Sequence, residues 1–118
     1  MSNFIEIKNL KKTFNISSNN QLLLFENLNL NISKNSTTSI IGPSGCGKST
    51  LLNIVGLLDS SFHGEYFFDG ILINKINKSK LNEIKNLKIG FVHQFFHLIP
   101  ELSVMENIIL PALIKKDK

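Results

Sequence analysis

The stretch that most constrains this chain is Gly42-Pro43-Ser44-Gly45-Cys46-Gly47-Lys48-Ser49-Thr50. It has the spacing G-x-x-x-x-G-K-[ST]. It stands between a β-branched run, Thr37 to Ile41, and a run with helical apolar spacing that begins at Leu51. Strand, glycine-rich turn, helix is the context this motif requires. A phosphate group needs several donors within ~3 Å. Side chains would crowd it, so the main chain has to do the binding. Gly42, Gly45 and Gly47 let the chain close into a concave ring of N–H groups. The start of the helix behind that ring adds roughly half a positive charge. Lys48 sets an ammonium on the outer phosphates, and Ser49 offers a hydroxyl to Mg2+, an ion that takes oxygen ligands and keeps several waters. Pro43, Ser44, Cys46 and Thr50 complete the cradle. Cys46 reads as a small residue whose backbone matters and whose thiol does not.

Around the cradle the pattern is mixed. Phe4 to Ile7 reads as a first strand leading into Leu10-Lys11-Lys12-Thr13-Phe14, and the polar segment Asn15 to Gln21 as a connecting loop. Leu28 to Ile32 alternates as a half-buried strand does. Leu51, Ile54, Val55 and Leu58 put one apolar face on a helix over Ser49 to Leu58. Tyr66 to Ile73 is a hairpin signal, with Asp69-Gly70 supplying the positive φ angles of a type I′ turn. Ser79 to Leu87 has the spacing of a short lysine-rich helix, and Ile89 to His93 that of a strand. Ser103-Val104-Met105-Glu106 matches a capping box, so a helix starts there. Pro111 should end or kink that helix near Leu110. Antiparallel strands thus precede a strand–loop–helix unit, which makes the fold class α/β.

The composition narrows the function. The formal charge is +4, and all 13 basic residues are lysine. Nucleic-acid recognition relies on clustered arginines for phosphate and guanine, and there are none, so no nucleic-acid partner is expected. The basic stretch of Lys75, Lys78, Lys80, Lys85 and Lys88 reads as a solvated face. A lone cysteine excludes an internal disulfide and fits a reducing compartment. The first residues, Met1 to Phe14, lack the apolar core of a signal peptide, and the longest apolar run is far short of the ~20 residues that span a bilayer. His63, His93 and His97 are not arranged as metal ligands.

The cradle alone leaves kinases, GTPases and many ATPases open. Several further stretches resemble the ATP-binding subunit of an ABC transporter. Leu10-Lys11-Lys12-Thr13-Phe14 is similar to that family's A-loop, whose aromatic stacks on adenine; tyrosine is usual there, and Phe14 keeps the stacking face. Gly42 to Thr50 resembles its P-loop, and Gly56-Leu57-Leu58-Asp59, Gly64 and Asp69-Gly70 the segment that follows. Gly90-Phe91-Val92-His93-Gln94 resembles its Q-loop. Within the family, the run from Glu83 to Pro100 and Glu106 to Pro111 resemble the lipoprotein-releasing subgroup, with macrolide-export and FtsX-type ATPases sharing much of the pattern.

The resemblance implies an antiparallel β subdomain followed by the first part of a RecA-like core. It implies ATP and Mg2+ as cofactors, with Phe14 and Gly42 to Thr50 on the nucleotide, Ser49 and Gln94 on the metal, and Lys48 and Gln94 in catalysis. It implies transmembrane permease subunits and a second copy of the ATPase subunit as partners, on the cytoplasmic face of the inner membrane. It covers residues 1–118 as the N-terminal half of such a domain. The signature LSGGQ, the Walker B aspartate with its catalytic glutamate, and the switch histidine do not occur in these residues. On that reading the chain is the front half of a larger ATPase, truncated after the Q-loop. Alone it would be a weak nucleotide binder without a general base for hydrolysis. A small kinase or GTPase would call for a [NT]KxD guanine motif, which the sequence lacks.

Overall fold

A fifteen-residue strand, β1 (Asn3–Ser17), and a partner of fourteen, β2 (Asn20–Ser33), form a long antiparallel hairpin. The computed structural model describes residues 3–115, and the chain divides into two units, Met1–Ile76 and Asn77–Lys118. In the first unit, β3 (His63–Phe68) pairs with the other edge of β1, and the short β4 (Ile71–Leu72) pairs with β3. The sheet is wholly antiparallel, in the order β2-β1-β3-β4.

The hairpin is longer at its tip than the polar composition suggests. Residues 15–17 pair with 20–21, so the expected loop over Asn15 to Gln21 shrinks to a two-residue turn. Ladder bonds outweigh the low strand propensity of asparagine and serine when a partner strand is already in register.

One irregularity in β1 decides which side chains face the core. Ile5 and Ile7 are buried, and two residues apart, as a strand requires; then the buried positions become Leu10 and Lys12. The change of parity comes from a bulge. Asn9 adopts φ 52°, and the register slips between Ile7 and Leu10 against β2 and between Lys8 and Lys11 against β3. An extra residue in one strand turns every later side chain to the opposite face. The Asn9 N–H, freed from the ladder, donates to Asn29 Oδ1 at 2.9 Å. The bulge therefore carries Leu10 and Lys12 inward and sets the face on which Phe14 follows.

Helix α1 (Lys48–Val55) buries Leu51 and Ile54, as its apolar spacing requires. It ends at Val55, three residues short of the expected Leu58, with Gly56 as its C-cap. The Gly56 N–H closes on Leu52 O at 2.8 Å, and Leu57 then turns into the left-handed region. Tyr66 on β3 is fully buried, and its hydroxyl donates to Val55 O at 2.6 Å. Burial pushes the phenol pKa upward, so it stays a neutral donor. Asp69 (φ 47°) and Gly70 (φ 80°) adopt the two positive φ angles that the hairpin signal called for.

The second unit holds α2 (Lys78–Lys88) and α3 (Val104–Ile114). Asn77 caps α2 by accepting from the Lys80 N–H at 2.8 Å. Pro111 does not end α3, which runs three residues beyond it. Proline removes a single N–H, and the Lys115 N–H still closes on Pro111 O at 3.3 Å.

Two expected strands are absent as strands. Neither Thr37 to Ile41 nor Ile89 to His93 joins a ladder, and Ile41 and Val92 are 92% and 93% exposed. A strand is a paired state. Its β-branched residues favour extension, but only a neighbour's N–H and C=O groups complete it. Among the described residues no such neighbour reaches either run. Of the α/β plan, the antiparallel sheet and the loop–helix unit are present.

The α3 capping box forms in full. The Ser103 N–H donates to Glu106 Oε2 at 2.7 Å, and the Glu106 N–H donates to Ser103 Oγ at 3.2 Å. These bonds, the Ser103 backbone bond first, hold the Glu106 carboxyl below its usual range. A depressed folded pKa means the stabilisation is present above the ordinary glutamate value and is lost as pH falls through the lowered one. Hydrogen exchange at the amides of 104–107 should accelerate on acidification through that window, once corrected for intrinsic rates. Ser103→Ala should accelerate it about fivefold at neutral pH.

Candidate functional site

The loop before α1 begins with a turn that the Cys46 N–H closes onto Pro43 O at 3.3 Å. Gly45 (φ 78°) and Gly47 (φ 105°) then take left-handed conformations, and the chain enters the helix at Lys48. The first bond of the helical ladder runs from the Leu51 N–H to Gly47 O at 2.9 Å. Among the described residues, no acceptor engages the N–H groups of Gly45, Gly47, Lys48, Ser49 or Thr50. These are the orphan donors of a helix start extended back into the loop. No acidic side chain lies in the first turn of α1 to offset its positive end. Donors without partners at the positive pole of a helix are the chemistry of an anion site.

Gly47 is required for a second reason. A Cβ there would lie 2.7 Å from Cζ and 2.9 Å from Cε1 of Phe25 on β2. The aromatic ring thus packs directly against the backbone where the loop becomes helix. At Gly42 the demand is space, since a Cβ would meet Cys46 Sγ at 2.7 Å.

Lys48 Nζ donates to Gly42 O at 2.7 Å and to Pro43 O at 2.8 Å, with Cys46 Sγ 3.9 Å away. Its stem folds back along the loop, and the ammonium is held by the carbonyls of the loop's first two residues. A phosphate arriving at the N–H groups would trade those neutral acceptors for charged oxygens, a stronger bond type. Ser49 is exposed and its hydroxyl has no hydrogen-bond partner among the described residues. No group of three or more His, Cys, Asp or Glu among them is placed to hold a metal ion. The Ser49 hydroxyl is an oxygen donor of the kind that a hard cation such as Mg2+ takes.

Phe14 also belongs to the first unit. It pairs with Leu22 across the hairpin, and its side chain stays 41% exposed. Lys12 Nζ lies 4.9 Å from its ring centroid. Gln94 belongs to the second unit, in exposed irregular chain after the unpaired 89–93 run, with no side-chain hydrogen bond to a described residue. Close by in that unit, the rings of His93 and His97 stack at 4.0 Å, with Phe91 4.6 Å from His93. The spacing alone gives no hint of this, because it depends on a left-handed residue at His97 (φ 50°).

Three structural roles escape a reading of the motifs. Phe25 backs the cradle. Lys12 is buried and paired with Asp59, 2.7 Å away. Asn107 accepts from the Ile99 N–H at 2.9 Å and donates to the carbonyls of Ile99, Leu102 and Ser103, which ties the turn before α3 to its first coil. Only Lys12 leaves a trace in sequence, through its two-residue spacing from Leu10 and Phe14.

Residues 25–118 match the family model described as ABC transporter. The chain is 44% identical over 111 residues to the ABC transporter ATP-binding protein MJ0796 of Methanocaldococcus jannaschii, which covers 94% of this chain and 47% of that protein. It is 41% identical over 110 residues to the lipoprotein-releasing system ATP-binding protein LolD of Wigglesworthia glossinidia brevipalpis, covering 93% and 48%. It is 40% identical over 111 residues to the macrolide export ATP-binding/permease protein MacB of Mannheimia succiniciproducens, covering 94% and 17%. The chain spans about half the length of the first two. The solved dimeric structure of MJ0796 superimposes with a TM-score of 0.87 at 43% identity, over 97% of this chain and 49% of that one. The same cassette bound to ADP and Pi superimposes at 0.86 and 42% identity, with the same shares covered.

Gly47→Ala should close the cradle. The new Cβ meets Phe25 and forces an L-residue into a φ it resists, so the loop must shift. Tripolyphosphate affinity measured by calorimetry should fall at least about tenfold, while circular dichroism keeps its strand signal. Undiminished affinity would show that the N–H ring is not the binding surface.

Proposed function

The chain belongs to the ABC transporter family, and on that footing we propose that it carries the nucleotide-binding face of an ATP-driven export subunit. The observation that carries this reading is the set of unengaged N–H groups of Gly45, Gly47, Lys48, Ser49 and Thr50 at the positive end of α1, with the Lys48 ammonium folded beside it. A triphosphate satisfies those donors. Pro43, Ser44 and Cys46 shape the turn, Phe14 would stack on adenine, and the Ser49 hydroxyl would be an oxygen ligand for Mg2+; in the second unit, Gln94 is the further metal ligand that the family resemblance supports. Gln94 also reports the outermost phosphate to the surface that meets the membrane partner.

We assign turnover to the whole protein and nucleotide binding to these residues. The MJ0796 cassette has been solved as a dimer and with ADP and Pi, which supports a second copy of the subunit and ATP hydrolysis as the energy source. Transmembrane permease subunits are the proposed partners, and the cytoplasmic face of the inner membrane the proposed site of action. No helix among the described residues is long and apolar enough to cross a membrane, consistent with a peripheral position. Lipoprotein release is the favoured process, supported by the likeness to LolD. The likeness to MacB supports macrolide export as the second reading.

Lys48→Ala tests the site. The ammonium contributes charge-assisted contacts to the phosphates, so calorimetry should show ATP binding weakened about tenfold or more. Equal affinity in the two proteins would remove the proposed role of the loop.

A further inference from the structure

Lys12 is 3% exposed, and a buried ammonium is unfavourable unless every donor is used. Its Nζ bonds Asp59 Oδ2 at 2.7 Å and the Ser61 carbonyl, and it lies 4.9 Å from the centre of the Phe14 ring. Asp59 is itself fixed, since its Oδ1 accepts from the Ser61 N–H at 2.8 Å. The bulge at Asn9 is what brings Lys12 to the inner face. Across the hairpin Lys12 stands opposite Phe25, the ring that packs on Gly47. The hairpin is therefore fastened at both ends of the loop–helix unit: by Phe25 where α1 starts, and by Lys12 just past where it ends.

We propose that Lys12 is a positioning residue for nucleobase recognition: anchored by Asp59, its ammonium fixes the Phe14 ring and leaves the opposite face open to a purine. The inference rests on the nucleotide site proposed above and adds the device that orients its aromatic platform. A cation over one face draws the ring's electron density toward itself. The free face becomes electron-poor and suited to an electron-rich base. A ring held from behind also loses less freedom when the base arrives. The spacing Lys12 to Phe14, one side chain apart on the same strand face, is what makes this geometry available.

Calorimetry on the full chain, with MgATP and magnesium tripolyphosphate as probes, separates base recognition from phosphate recognition. Lys12→Met should weaken ATP about fivefold and leave tripolyphosphate within about twofold. Lys12→Arg, which keeps the charge and stacks on aromatic rings, should restore the ATP preference. In a Phe14→Leu background, Lys12→Met should have no further effect on the ratio of the two affinities. Asp59→Asn should lower the same ratio without touching Lys12, and it carries the test if Lys12→Met does not fold. Equal loss for both probes, no loss for either, or an undiminished Lys12→Met effect in the Phe14→Leu background would overturn the inference. A wild-type chain that binds tripolyphosphate as tightly as ATP would also overturn it, with the phosphate site left standing. A wild-type chain that binds neither would overturn the site on which it rests.

Discussion

Every main-chain N–H and C=O must find a partner or stay in water, and that requirement organises this molecule. The β1–β2 hairpin meets it with a ladder running nearly from end to end. The capping box and Asn107 meet it at the start of α3. Among the described residues, two stretches without such partners bear on the candidate site and the sheet. One is the set of N–H groups of Gly45 and of Gly47 to Thr50, at the head of α1. The other is the pair of runs 37–41 and 89–93, whose backbone joins no ladder. In the first case the unpartnered groups suit an anion and in the second they do not, because only the first concentrates a single sign of charge.

The glycine loop before α1 depends on side chains that lie outside it. Phe25 is the clearest. Its ring occupies the space a Cβ at residue 47 would need, so glycine is demanded by packing as well as by φ. Lys12 extends the same support. Because Asp59 lies beyond the end of α1, a charge pair there holds the helix from the other side. The antiparallel sheet is thus the backing plate against which the glycine loop and the Phe14 ring are set.

What the amino-acid order reveals tracks how local the cause is. The turn at Gly45 and Gly47, the Asp69-Gly70 turn and the Ser103–Glu106 box are all encoded within a few residues, and each forms where its pattern stands. The strand-like runs 37–41 and 89–93 have the right residues but depend on neighbours that composition cannot supply. The inward turn of Lys12 hinges on a bulge at Asn9, and its partner is 47 positions away, 59 minus 12. Pro111 looks like a stop and is not, because one lost bond does not unwind a helix whose next coil still closes. The family resemblance was legible because it rests on the same short, locally encoded stretches.

The open runs also bear on how this polypeptide behaves in a test tube. Ile41 and Val92 stand almost wholly in solvent, each inside a β-branched segment with unclaimed hydrogen-bonding edges. Such segments recruit one another between molecules and stack into cross-β arrays. Concentrated preparations should therefore turn viscous or cloudy on standing, and a lysine placed at either position should keep them clear.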